Sequence, residues 1–258
     1  MKKKLKGFYL ITSSLFIAML HLPFAFAKSA FAKINSTLVP KVAAAADPVT
    51  PVPMPAPAPA PRPAMPSAYD SLHLELAGLN REAYDYAIKG FEKLEEEGKI
   101  ENDEIISIVD FSQPSSQKRL YIIDLKEYKV LFNTLVAHGR NTGREWATDF
   151  SNQMSSLKSS PGFYITGTTY NGDNGYSLKL MGMEAGINDN AFNRAIVMHG
   201  APYVNESMAR SQGYIGRSWG CPAVPAAQAH SIINTVKDGS CLFIYHPSYV
   251  KRSQLLRG

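Results

Sequence analysis

Arg194-Ala195-Ile196-Val197-Met198-His199-Gly200 and, a loop later, Gly216-Arg217-Ser218-Trp219-Gly220-Cys221-Pro222-Ala223 are the two runs that decide how this chain is read. The first is an apolar strand pattern that closes on a histidine, so His199 is expected to emerge at a strand end. The second sets a cysteine between glycine and proline, which punctuate turns rather than fill helices or strands. Cys221 is one of only two cysteines. A thiol near an imidazole is the minimum for nucleophilic catalysis, because the thiolate is the reactive species and its surroundings set how much of it forms. Consecutive N–H groups around Trp219, Gly220 and Cys221, with Ser218 beside them, can face a developing oxyanion. The plain alternatives are that Cys221 is a small buried apolar residue and that His199 is a structural hydrogen-bonder.

Working outward, the runs Ile105–Val109, Leu120–Asp124, Lys129–Ala137, Gly162–Thr169, Ser177–Leu180, Ala195–Met198 and Cys241–Tyr245 are short and apolar or alternating. Gly, Asn, Asp and Pro separate them, as in a sandwich or barrel. The fold class expected is mainly β with α. One helix is expected over Ala226–Lys237 after the cysteine turn, its N-terminal dipole favouring the Cys221 thiolate. Upstream, Ser67 or Asp70 can cap a short helix through Leu72, Leu74, Leu76 and Leu79. Asn80 can cap a second, with Tyr84, Ala87, Ile88, Phe91 and Leu94 at helical spacing. These define a helical segment over residues 67–99 packed on a catalytic domain at 100–258.

The amino-terminal quarter reads differently. Residues 1–27 open on Lys2, Lys3, Lys4 and Lys6, continue in an apolar run and end Ala25-Phe26-Ala27, the pattern of a secretory signal cleaved after Ala27. Export to the periplasm or cell envelope is the expected localisation. Residues 28–66 form an Ala/Pro-rich linker whose Pro-x tract favours extended polyproline II. The formal charge of +5 falls to +1 without the four lysines of the signal, which gives no support for nucleic-acid binding. The six histidines, at 21, 73, 138, 199, 230 and 246, lack zinc-site spacing, so no metal or cofactor is expected. A Cys221–Cys241 disulfide would abolish thiol chemistry. Cys241 instead reads as a core residue of a buried strand.

The chain resembles the murein L,D-transpeptidase catalytic-domain family, the YkuD-like enzymes, over about residues 70–247. The resemblance rests on His199-Gly200 followed by Ser218-Trp219-Gly220-Cys221-Pro222. Further runs recur in order: Ile108-Val109-Asp110-Phe111-Ser112, Val136-Ala137-His138-Gly139, Phe150-Ser151-Asn152 and Ser159-Ser160-Pro161-Gly162. They resemble the subgroup carrying Ser-x-Gly-Cys-Pro. Trp219 stands where most members have histidine, and the arginine or asparagine that usually follows is replaced by Ala223 or Val224. The resemblance implies a YkuD-like β-rich fold, Cys221 as nucleophile and His199 as general base. It further implies peptidoglycan stem peptides as substrate, with a second stem or a wall-anchored protein as acceptor, and acylation of Cys221 by carbapenems. Hydrolysis of the same acyl-enzyme, giving an L,D-carboxypeptidase, and a non-catalytic wall-binding module are the rival readings. Arg217 can bind a substrate carboxylate or serve a structural ion pair. Gly200, Tyr203 and His138 are further candidates for substrate contact, and Tyr214 for a cleft wall.

Overall fold

Cys241–Tyr245 is buried along its whole length, and alternate side chains leave opposite faces. Cys241, Phe243 and Tyr245 enter one core, and Leu242 and Ile244 enter another. A strand covered on both sides needs no polar positions, which is why this run shows no alternation in sequence.

The computed structural model describes residues 66–257, so the expected signal (1–27) and nearly all of the linker (28–66) lie outside the described residues. In chain order come α1 (Pro66–Ser71), α2 (Arg81–Glu96), β1 (Ile105–Asp110), β2 (Leu120–Asp124), β3 (Lys129–Thr134), β4 (Gly162–Gly172) and β5 (Gly175–Gly182). Then follow β6 (Val197–Ala201), α3 (Glu206–Gln212), β7 (Ala223–Pro225), α4 (Ala226–Val236), β8 (Cys241–Tyr245) and α5 (Pro247–Val250). The strands make one eight-stranded sheet ordered β3-β2-β1-β8-β4-β5-β6-β7. β8 runs parallel to β1, with Ile106 opposite Cys241, and antiparallel to β4, with Phe163 opposite Phe243.

The sheet nearly closes on itself. Beyond β3 the chain crosses to the far edge, where Ala137 bridges Ala223 of β7 and Gly139 bridges Ser218. Leu135, Ala137, Ala201, Val204, Ile215 and Ala223 pack at this seam. The expected sandwich or barrel is therefore a single sheet of near-barrel form, and its seam carries the cysteine turn.

Helices cover both faces. Asn80 caps α2 through its side-chain oxygen, which accepts from Glu82 N at 2.8 Å, a cap worth about 1 kcal/mol. The Tyr84, Ala87, Ile88, Phe91 and Leu94 stripe is buried in the core shared with β1 and β8. Each such side chain contributes roughly 1.5–3 kcal/mol on full burial. On the other face α4 buries Ala229, Ile232, Ile233 and Val236.

Three expectations shift. α1 begins at Pro66, so Ser67 and Asp70 lie inside it and do not cap it. It ends before the leucines, because His73 takes a positive φ; Leu74 and Leu79 are buried from turns, and Leu76 is 86% exposed. Ala195 also has a positive φ (53°), so β6 starts later than read and runs through His199, which sits inside the strand and not at its end. α3, β7 and α5 were not expected, being too short to show a period.

Candidate active site

The turn before β7 is built from backbone hydrogen bonds that need small residues. Gly220 has φ +128°, and a Cβ there would stand 2.8 Å from Lys158 O, so only glycine fits. Ser218 is buried; its Oγ donates to Cys221 O at 2.6 Å and accepts from Gly220 N at 3.1 Å. That hydroxyl is spent on shaping the turn, and Gly220 N–H is taken, which leaves the Trp219 and Cys221 amides as the turn's candidates for an oxyanion. From below, Ser159 Oγ donates to Gly220 O and accepts from Gly139 N, both at 3.0 Å. Trp219 itself, two residues before Cys221, is 74% exposed.

Cys221 is free, as is Cys241, and the two lie in cores on opposite faces of the sheet. The Cys221 Sγ receives Val197 N–H at 3.5 Å and points toward Ala195 O at 3.7 Å. Burial pushes its thiol up, against weaker stabilisation of the thiolate by the Val197 amide and the Arg194 guanidinium. This reverses the expectation of a thiolate favoured by the α4 dipole. The strand β7 intervenes between Cys221 and the first turn of α4, and the sulfur has lost its water.

His199 lies on the adjacent strand. β6 and β7 run parallel with His199 opposite Ala223, and Cys221 Sγ bonds two residues before His199 on β6. Cys221 lies two residues before Ala223, the partner of His199, and its sulfur meets β6 at Val197, which shares a face of that strand with His199. No hydrogen bond joins thiol and imidazole, a looseness common before substrate arrives. His199 Nδ1 is 3.0 Å from Gly200 O. A carbonyl only accepts, so Nδ1 carries the proton and Nε2 keeps its lone pair. Burial lowers the pKa of this imidazole, so it is neutral at neutral pH.

The other expected residues divide. Gly200 orients His199 through its carbonyl and lets α4 approach, since a Cβ there would meet Ala229 Cβ at 2.8 Å. Tyr203 is half-buried against Gly216 and near the thiol; burial and the Cys221 charge push its phenol up to about 12. Arg217 is exposed and donates Nη1 to Arg140 O and Gly143 O, each at 3.1 Å, with no carboxylate partner among the described residues. Tyr214 is half-buried, and its hydroxyl accepts a 2.7 Å bond from Arg144 Nη2. His138 does not line the cleft. It is fully buried, accepts from Arg119 Nη2 at 2.8 Å and donates to Gly143 O at 3.2 Å. Burial and the Arg119 charge lower its pKa to about 3.

Two arginines were not singled out from sequence. Arg119 is fully buried, held by Gln113 O, Val136 O and His138, and burial lowers it to about 9. Arg194 binds Ser151 O and Ser160 Oγ through Nη1, and Ser156 Oγ and Lys158 O through Nη2. Its Nη2 lies 3.4 Å from where a Gly220 Cβ would be, which sets a fixed cation beneath the cysteine turn. The serine runs that carry the resemblance, and the arginine that opens the His199 run, were the sequence signals for this anchor. Among the described residues no set of three His, Cys, Asp or Glu side chains converges to hold a metal.

A lone thiol beside a neutral imidazole, at the seam of a nearly closed sheet, defines a candidate cysteine–histidine site. The L,D-transpeptidase catalytic-domain family model matches residues 75–245, and the chain belongs to that family. Among curated proteins nothing matches. Among solved structures the chain is similar to an L,D-transpeptidase from Mycobacterium smegmatis (13% identity, TM-score 0.34, 55% of this chain and 59% of that one). It is also similar to the L,D-transpeptidase LdtMt1 in complex with imipenem (14%, 0.34, 55% and 59%). A third is the helical cell shape determining protein Pgp2 from Campylobacter jejuni (17%, 0.36, 55% and 47%). The matched parts span between 47% and 59% of these proteins, and at such TM-scores the assignment stands on the family match alone.

Proposed function

We propose that the chain is a cysteine-dependent L,D-transpeptidase of peptidoglycan stem peptides. The observation that carries this reading is the seating of the Cys221 sulfur against Val197 of β6, two residues before a histidine whose Nδ1 is committed to Gly200 O and whose Nε2 is not. With thiol and imidazole both neutral, catalysis starts with proton transfer from Sγ to Nε2 as sulfur attacks the diaminopimelate-type carbonyl of a tetrapeptide stem. The Trp219 and Cys221 amides stabilise the oxyanion. The imidazolium then gives its proton to the leaving D-alanine amine, the C–N bond breaks and a thioester remains. A second amine, from another stem or a wall-anchored protein, attacks the thioester, loses a proton to His199 and frees the thiol. A carbapenem carbonyl would acylate Cys221 by the same attack. Export through the signal-like residues 1–27 would bring the enzyme to its polymer.

Incubation of the protein with disaccharide-tetrapeptide, read by mass, tests the reading. A cross-linked dimer lost in Cys221→Ala supports it. Release of D-alanine without dimer makes the enzyme an L,D-carboxypeptidase, and no reaction leaves a wall-binding module.

A further inference from the structure

Beside the cysteine turn three exposed arginines, Arg140, Arg144 and Arg217, come close along the backbone without a carboxylate paired to any of them among the described residues. Arg217 Nη1 donates to Arg140 O and Gly143 O, each at 3.1 Å, and Arg140 N donates to Ser218 O at 2.8 Å. These bonds draw Arg140, Arg144 and Arg217 to one rim, four residues or fewer from Ser218 or Gly143 along the chain. All three are exposed, and none makes an ion pair among the described residues. Lys118 and Lys126, by contrast, pair with Glu206 and Glu104. On the loop itself Asp149 is taken by Lys158 at 2.5 Å, and Glu145 pairs with none of the arginines.

Arg144 is also held in place. Its guanidinium stacks 4.5 Å from the Tyr214 ring centroid and donates Nη2 to the Tyr214 hydroxyl at 2.7 Å. Stacking restrains the planar fork and lowers the entropy lost when it clasps an anion. We infer that Arg140, Arg144 and Arg217 form a carboxylate-recognition rim that reads the acidic groups of the substrate next to the reacting carbonyl. This rests on the stem-peptide reading above. The stem offers two sources of carboxylate: the terminal D-alanine, and the side-branch acids of the residues before it.

The test uses the full chain carrying Cys221→Ala, so that substrate binds without reacting, and measures binding of disaccharide-tetrapeptide by calorimetry. Adding Arg140→Gln and Arg144→Gln together should weaken binding about tenfold, since exposed but forked pairs contribute modestly each. Wild-type binding should also weaken with salt. Amidating the recognised carboxylate should weaken binding by a similar factor and make it indifferent to the two substitutions, a coupling that general loop damage would not produce. Peptides amidated at D-alanine or at the side-branch acids show which source is read. If the substituted protein binds the acidic peptide as tightly as its parent while wild type still turns it over, the rim is refuted and the enzyme reading stands. If the peptide neither binds nor reacts, both fall.

Discussion

The molecule holds two cysteines and two buried histidines in contrasting surroundings. Cys241 sits in β8 with apolar neighbours only, and burial alone raises its thiol. Cys221 is buried nearly as well, yet an N–H, a carbonyl and a fixed guanidinium surround its sulfur. His138 has both ring nitrogens bonded within the protein. His199 has one bonded and one spare. Burial is common to all four, so burial does not mark a site. Unspent bonding capacity at the seam does.

The largest break in that comparison is between the cysteines. Cys221→Ala should lower turnover by more than about a thousandfold with the melting temperature little changed. Cys241→Ser should leave turnover per folded molecule intact and cost about 1–3 kcal/mol in denaturant unfolding, through a buried hydroxyl. Equal loss of activity in both would end the distinction.

Next come the histidines. His199→Gln should reduce kcat about a hundredfold or more while leaving stability alone. His138→Ala should cost about 2 kcal/mol by taking an acceptor from the buried Arg119 guanidinium. pH separates them further. Because burial lowers the His199 pKa, the acid limb of kcat/KM should fall below pH 6.5. His138 binds its proton in the unfolded chain near 6.5 but in the folded one only near 3. Between those values the unfolded state holds more protons, so stability should decline as pH drops from 6.5 toward 3, and less steeply in His138→Ala. An acid limb above 6.5, or identical stability profiles, would contradict these assignments.

The smallest effect concerns the cation beneath the turn. Arg194→Gln should slow alkylation of Cys221 by iodoacetamide about three- to tenfold at neutral pH and move the alkylation midpoint upward. Arg194→Lys should recover part of this. An unchanged midpoint would reduce Arg194 to a clasp for the 151–160 loop.

Much of the framework was legible along the chain. Leu120–Asp124 and Cys241–Tyr245 appear where their apolar runs place them, and Asn80 caps α2 as its spacing indicates. These depend on neighbours in sequence, on period and on local hydrogen bonds. The turn at Cys221 was likewise readable from its flanking glycine and proline, whereas the association of Cys221 with His199 came from the family resemblance.

Other features depend on which strands meet. The closure of β3's continuation on β7 buries His138, which looked like a cleft residue, and seats Cys221 so deep that its thiol is raised instead of lowered. Likewise Arg119 and Arg194 look like ordinary surface residues until the fold strips one of water and slides the other under Gly220. Composition and period determined a β-rich domain with a nucleophile-like turn. Solvation and distance across the sheet, which no linear pattern encodes, decided which charged and polar groups face that sulfur.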